Sequence, residues 1–221
     1  MSGDVIAEEI LKLAPVLGLN RELLLQLRNM VMNDKQPSFT QGIYLFSEYI
    51  DNELSSFIAA QELIERDASA EVFIIYGGGH GSPGYSHWVE RLGRYIPKGR
   101  IRQVPIEKPW EINTYSESVA LVNFAIKENR KSWYIVAPPF HMLRAFMTTV
   151  SVSIKHGSKI NFYAHPGAPQ DWNEFVTHSQ GIKKGKRRFL VGEELKSIKI
   201  YSGLGHIESI QNILNYVQQR K

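Results

Sequence analysis

The run Trp133-Tyr134-Ile135-Val136-Ala137, closed by Pro138-Pro139 and followed by Phe140-His141-Met142-Leu143-Arg144, decides how the chain is read. Its first five residues are apolar or aromatic without alternation and too few for a buried helix, which is the pattern of a strand covered on both faces. Met142, Phe146, Val150 and Ile154 then recur at helical spacing. A buried strand that runs straight into an amphipathic helix is half of a βαβ unit, and a sheet of such units is parallel.

Upstream the same phrase recurs three times. Gly42 to Phe46 precedes a helix carrying Leu54, Phe57, Ile58 and Ile64; Val72 to Tyr76 precedes a glycine-rich turn and a helix over Tyr85 to Tyr95; Ile101 to Ile106 precedes the stripe Tyr115, Val119, Val122 and Ile126. Downstream, Ile160 to Ala164 supplies a fifth strand. The expectation is an α/β fold with a parallel sheet of about five strands and helices on both faces. After His165 the pattern is broken by Pro166, Gly167 and Pro169, Ile198 to Tyr201 reads as a further strand, and Ile207, Ile210, Leu214 and Val217 form a closing helical stripe. Ahead of the first strand lie two helices, one with Ile6, Ile10, Leu13 and Leu17, the other with Leu23, Leu24, Leu27, Met30 and Val31 behind a cap at Asn20. The expected organisation is therefore a helical extension over residues 1–36 and an α/β domain over 37–221.

Composition narrows the classes of function. Hydrophobic residues at 43% and charged residues at 22% are those of an ordinary folded domain, and the absence of cysteine removes disulfides, thiolate nucleophiles and cysteine-held metal centres. No apolar run approaches the roughly 20 residues of a membrane span, and Met1 to Glu9 carries acids where a signal peptide needs bases; the expectation is a cytoplasmic protein without a membrane span. The net charge of +4 owes much to Lys183, Lys184, Lys186, Arg187 and Arg188. This run reads first as a solvated loop, with a phosphate, nucleic-acid or acidic-membrane contact as the alternative, and no zinc-finger, RNP or KH signature accompanies it.

In a parallel sheet, ligands bind beyond the carboxyl ends of the strands, so chemistry is sought there. After the second strand stand Gly77, Gly78, Gly79, His80 and Gly81, whose backbone can approach a ligand closely and turn free N–H groups toward an anion. Gly79, Gly81 and Gly84 also satisfy the dinucleotide pattern G-x-G-x-x-G, with Glu107 downstream as the acid that would meet a ribose. Asn113 and Thr114 stand where they cap the next helix or meet an anion at its N-terminus. His141 and Arg144 share one helix face, where the imidazole shuttles a proton and the guanidinium forks onto a phosphate or carboxylate. The sequence carries no metal-ligand spacing, no Walker A lysine and no G-x-S-x-G elbow.

The segment from Val136 to Ala145, with its His141-Met142-Leu143-Arg144-Ala145 helix start, resembles the YdcF, SanA and ElyC-like family, a bacterial domain of unknown function. Gly77-Gly78-Gly79 after the second strand and Glu107 with Asn113-Thr114 after the third add to the likeness, which spans about Gly42 to Gly167. Three positions differ from the family pattern: Ser47-Glu48-Tyr49 stands where glycines are usual, Ser116 and Glu117 where glutamate follows the N-T pair by two, and Ser86 and His87 near the place of another glutamate. The resemblance implies a Rossmann-like fold, and S-adenosylmethionine binding is an attribute of a YdcF-type member. Sequence thus points to a binder of a phosphate-bearing or nucleotide-like small molecule and, if it is an enzyme, to a transferase or hydrolase with Glu107 and His141 as acid–base groups. S-adenosylmethionine or dinucleotide binding is the second reading. A non-enzymatic interaction protein working through its N-terminal helices and basic run is the third.

Overall fold

The computed structural model describes residues 4–67, 69–75, 84–177 and 184–220, with 84–86 described in backbone only. Five strands, β1 (Ile43–Leu45), β2 (Val72–Ile75), β3 (Ile101–Val104), β4 (Ser132–Ala137) and β5 (Asn161–Pro166), form one sheet in the order β3-β2-β1-β4-β5, and every pairing is parallel. This is the expected Rossmann-like α/β sheet. Its strand order reverses between β1 and β4, where Ile43 pairs with Tyr134 and Leu45 with Val136.

Alternation along each strand builds two cores, because successive side chains point to opposite faces. Tyr44, Phe46, Phe73, Val104, Trp133, Ile135, Ala137 and Phe162 face one way, and Ile43, Leu45, Val72, Ile74, Ile101, Tyr134, Val136 and Tyr163 face the other. The second face is covered by α3 (Ile50–Arg66) and α4 (Gly84–Leu92), through Phe57, Leu63, Trp88 and Leu92. The first is covered by α5 (Thr114–Lys127) and α6 (Pro139–Lys155), and farther out by α7 (Arg187–Gly203) and α8 (Ile210–Gln219). The N-terminal helices α1 (Val5–Leu13) and α2 (Arg21–Met32) add Ile6, Ile10, Leu24 and Leu27 to this same core, and Asn20 caps α2 by accepting from the Leu23 N–H. Gly42 enters β1 so close to the Trp133 ring that a Cβ there would collide with it.

Two expectations are corrected. Ile198 to Tyr201 is not a strand but the interior of α7, in which Val191, Leu195 and Ile198 are buried at helical spacing while Ile200 is exposed. Four residues of alternating polarity do not separate the two periods, and contact with α1 and α6 settles the helix. The basic run is not one solvated loop either. Lys184 and Lys186 lie on β7 (Lys184–Lys186), antiparallel to β6 (Phe175–Thr177), while Arg187 opens α7 and is buried. Lys183 lies outside the described residues. Among the described residues no helix is long and apolar enough to cross a membrane.

Candidate functional site

The reversal of strand order at β1 and β4 opens a crevice beyond their carboxyl ends, and three chain segments converge on it. β1 runs on into Ser47 and Glu48; α6 leaves β4 through Pro138, its first two turns presenting His141 and Arg144; α5 begins there at Thr114. The side chains of these segments form a buried polar chain. His141 Nδ1 meets Glu48 Oε1 at 2.5 Å, and His141 Nε2 meets Thr114 Oγ1 at 3.2 Å. Arg144 donates through Nη1 to Thr114 Oγ1, and through Nε and Nη2 to both oxygens of Glu194 on α7, the Nη2 bond being 2.9 Å. Beside this chain, Glu117 Oε2 accepts from the Tyr44 hydroxyl at 3.0 Å and from the Ser47 N–H at 3.1 Å.

The electrostatics follow from burial. Glu117 is pushed up to about 7, first by loss of water; the bonds from Ser47 and Tyr44 pull it down, and the neighbouring charge of Glu48 pushes it further up. The Tyr44 hydroxyl is likewise held well above its usual range by burial, with Glu117 adding to the effect. Burial opposes the charge of Arg144, but Glu194 on its fork outweighs it and raises the group above its ordinary value. Apolar rings close the sides: Phe46 meets the His141 ring edge-on at 5.9 Å, and the Tyr201 ring lies 5.6 Å from the Arg144 guanidinium. Glu48 Oε2 is buried without a hydrogen-bond partner.

Thr114, His141 and Arg144, singled out from sequence, are thus brought together, but not as sequence arranges them. The Arg144 fork meant for a ligand is filled by Glu194, and the first turn of α6 offers few free donors, since Pro138 and Pro139 have no N–H and those of His141 and Met142 bond to the Pro138 carbonyl. Asn113 acts as a cap: its side chain accepts from the Tyr115 and Ser116 N–H groups, and Ser116 Oγ accepts from its own N–H. Glu107 is exposed and stands apart, on the rim of an open groove of about 590 Å³ whose lining includes Asn113, Tyr115, Val119 and Phe124. Gly77, Gly78, Gly79, His80 and Gly81 lie outside the described residues. His165, a further histidine at a strand end, is held apart by Gln36, and burial together with the Arg66 charge lowers it to about 4. Among the described residues no group of three or more histidine, aspartate or glutamate side chains is placed to hold a metal ion.

The carboxylates that do meet His141 and Thr114 are Glu48 and, next to them, Glu117. Glu48 follows the carboxyl end of β1 and Glu117 lies three residues beyond Thr114 on α5, and those positions were the available signal. Glu194 gave none, because nothing local ties the middle of α7 to α6. A scan against protein-family models finds no match for this chain, and a search of curated proteins finds none either.

Proposed function

We propose that the chain is a transferase or hydrolase that holds a phosphate-bearing or nucleotide-like small molecule over the carboxyl ends of β1 and β4, with the Glu48–His141 pair as its acid–base group. The observation that carries this reading is the buried chain Glu48–His141–Thr114 at the point where the strand order reverses, the place at which open α/β sheets bind ligands. Desolvating ionisable groups costs several kcal/mol each, and apolar side chains of equal volume would often hold the fold as well or better, so stability alone does not account for them. His141 Nε2 is the proton-transferring atom; Glu48 fixes the ring and balances the imidazolium when it forms. Arg144 orients Thr114 instead of gripping the ligand.

Support for an anionic ligand comes from sequence. The glycine-rich stretch begins two residues beyond β2, the neighbour of β1 in the sheet, and such stretches cradle phosphates with backbone N–H groups. The likeness of the His141 segment to the YdcF, SanA and ElyC-like family is compatible with this reading.

The test is a thermal-shift and turnover panel of phosphomonoesters, nucleotides, dinucleotides and S-adenosylmethionine. A phosphate-bearing compound is expected to raise the melting temperature and to be turned over, and His141→Gln is expected to keep the shift while slowing turnover by roughly 10²- to 10⁴-fold. A shift from S-adenosylmethionine or a dinucleotide alone, without turnover of any phosphate ester, favours the second reading. No shift and no turnover across the panel refutes the proposal.

A further inference from the structure

Most side-chain hydroxyls of α5 and α6 bond close to their own place in the chain, Ser116 at the Asn113 cap and Ser153 to Ser158 among them. Ser118, Thr148, Thr149 and Ser151 each donate to the carbonyl four residues back, on Thr114, Arg144, Ala145 and Met147, which is the ordinary fate of a hydroxyl inside a helix. Thr114 opens α5 and has no such carbonyl within the helix. Its Oγ1 instead lies between His141 Nε2 and Arg144 Nη1.

With the His141 ring neutral, donor and acceptor rules place the protons. A guanidinium only donates, so Thr114 Oγ1 accepts from Arg144, and its one proton is free for His141 Nε2. With Nε2 of the neutral ring as acceptor, Nδ1 carries the ring proton and gives it to Glu48 Oε1. The result is a carboxylate, an imidazole and a hydroxyl in series, with a fixed cation against the hydroxyl oxygen where negative charge would build. Thr114 is also the most open member of the set, at 5% exposure against 2% for Glu48, His141, Arg144 and Glu194.

We infer that Thr114 is the nucleophile of this site, attacking the phosphorus of a phosphate ester to form a phosphothreonine intermediate. The inference rests on the group-transfer reading above and deepens it. In the first step the bond from Thr114 Oγ1 to phosphorus forms and the bond from phosphorus to the leaving oxygen breaks. The threonine proton passes to His141 Nε2 and from there to the departing alkoxide. In the second step water, or an acceptor alcohol in a transferase, attacks phosphorus and gives its proton to His141 Nε2, and the Thr114 oxygen leaves and takes that proton back. No electrons are exchanged.

An alkyl fluorophosphonate tests the nucleophile without knowledge of the natural substrate, because an activated hydroxyl displaces its fluoride and keeps the phosphonyl group. The chain is expected to take up one label, mapped to Thr114 by peptide mass spectrometry. Thr114→Ser should still be labelled, Thr114→Val should lose that label while still melting cooperatively, and His141→Gln should slow labelling roughly 10²- to 10⁴-fold. An unlabelled wild type, a label elsewhere, or labelling that His141→Gln leaves unchanged overturns the inference. Label on Thr114 with no turnover of any phosphate ester upholds the nucleophile and refutes the group-transfer reading; undiminished turnover in Thr114→Val does the reverse.

Discussion

Arg144 and Arg187 are both buried arginines, each with a glutamate partner, and they end in different places. The Arg187 cluster is half closed by backbone: its guanidinium donates to the carbonyl oxygens of Asp51 and Asp171, to Asn52 Oδ1 at 3.2 Å and to Glu174 Oε2 at 2.8 Å, tying the start of α3 to the segment ahead of β6 and to α7. The Arg144 cluster is closed by side chains that titrate or carry a hydroxyl, and it contains a buried carboxylate oxygen, Glu48 Oε2, with no hydrogen-bond partner. A brace needs its bonds filled and nothing more. A reacting site needs an acid–base pair joined to a hydroxyl, and of the two clusters the one around Arg144 has it, in Glu48, His141 and Thr114.

Removing each centre should therefore do different damage. Arg187→Ala strands Asn52 and two carbonyl groups and is expected to cost about 3 kcal/mol, roughly 10 °C in melting temperature, with the rate of Thr114 labelling at 25 °C unaltered among folded molecules. Glu48→Gln should leave the melting temperature within a few degrees and cut that rate at least tenfold, since it keeps the shape and removes the counter-charge. The contrast breaks if the two variants melt alike or lose labelling alike.

The next largest effect is on pH dependence. Glu117 and Glu53 both sit near 7 instead of 4.5, chiefly because burial raises them, and Arg91 beside Glu53 pulls the other way. Between those values the folded state holds one more proton per group than the unfolded chain. The stability they supply is complete below about pH 4.5 and is lost as pH rises through 7. His165, lowered from 6.5 to about 4, acts in the opposite sense: its stability is present above 6.5 and lost as pH falls through 4. The decline should thus be steepest between about 6.5 and 7, and Glu117→Gln should flatten it by on the order of 1 kcal/mol per pH unit. Melting curves of wild type and variant with equal slopes across neutral pH would place the Glu117 proton elsewhere. The smallest effect belongs to Asn113. As a cap, its change to alanine should cost about 1 kcal/mol, roughly 2–4 °C, and leave ligand-induced thermal shifts intact, whereas a weakened shift would return it to the ligand.

The sequence by itself determined the parallel sheet, its buried strands and the helices between them, because strand and helix periods are local and a strand covered on both faces needs helices to cover it. It also singled out Thr114, His141 and Arg144, from the rule that chemistry gathers past strand ends. Only the tertiary structure decided their partners. Glu48 is 93 residues from His141, and Glu194 is 50 from Arg144; no periodicity spans such distances. The strand order brings the end of β1 beside the end of β4, and the packing of α7 on α6 sets Glu194 against the Arg144 fork. The same packing gives Arg187 its role. A lysine- and arginine-rich run reads as solvated charge until the fold supplies two carbonyl oxygens, an amide and a carboxylate around one of its members, and the cost of burying that charge is met by those four bonds.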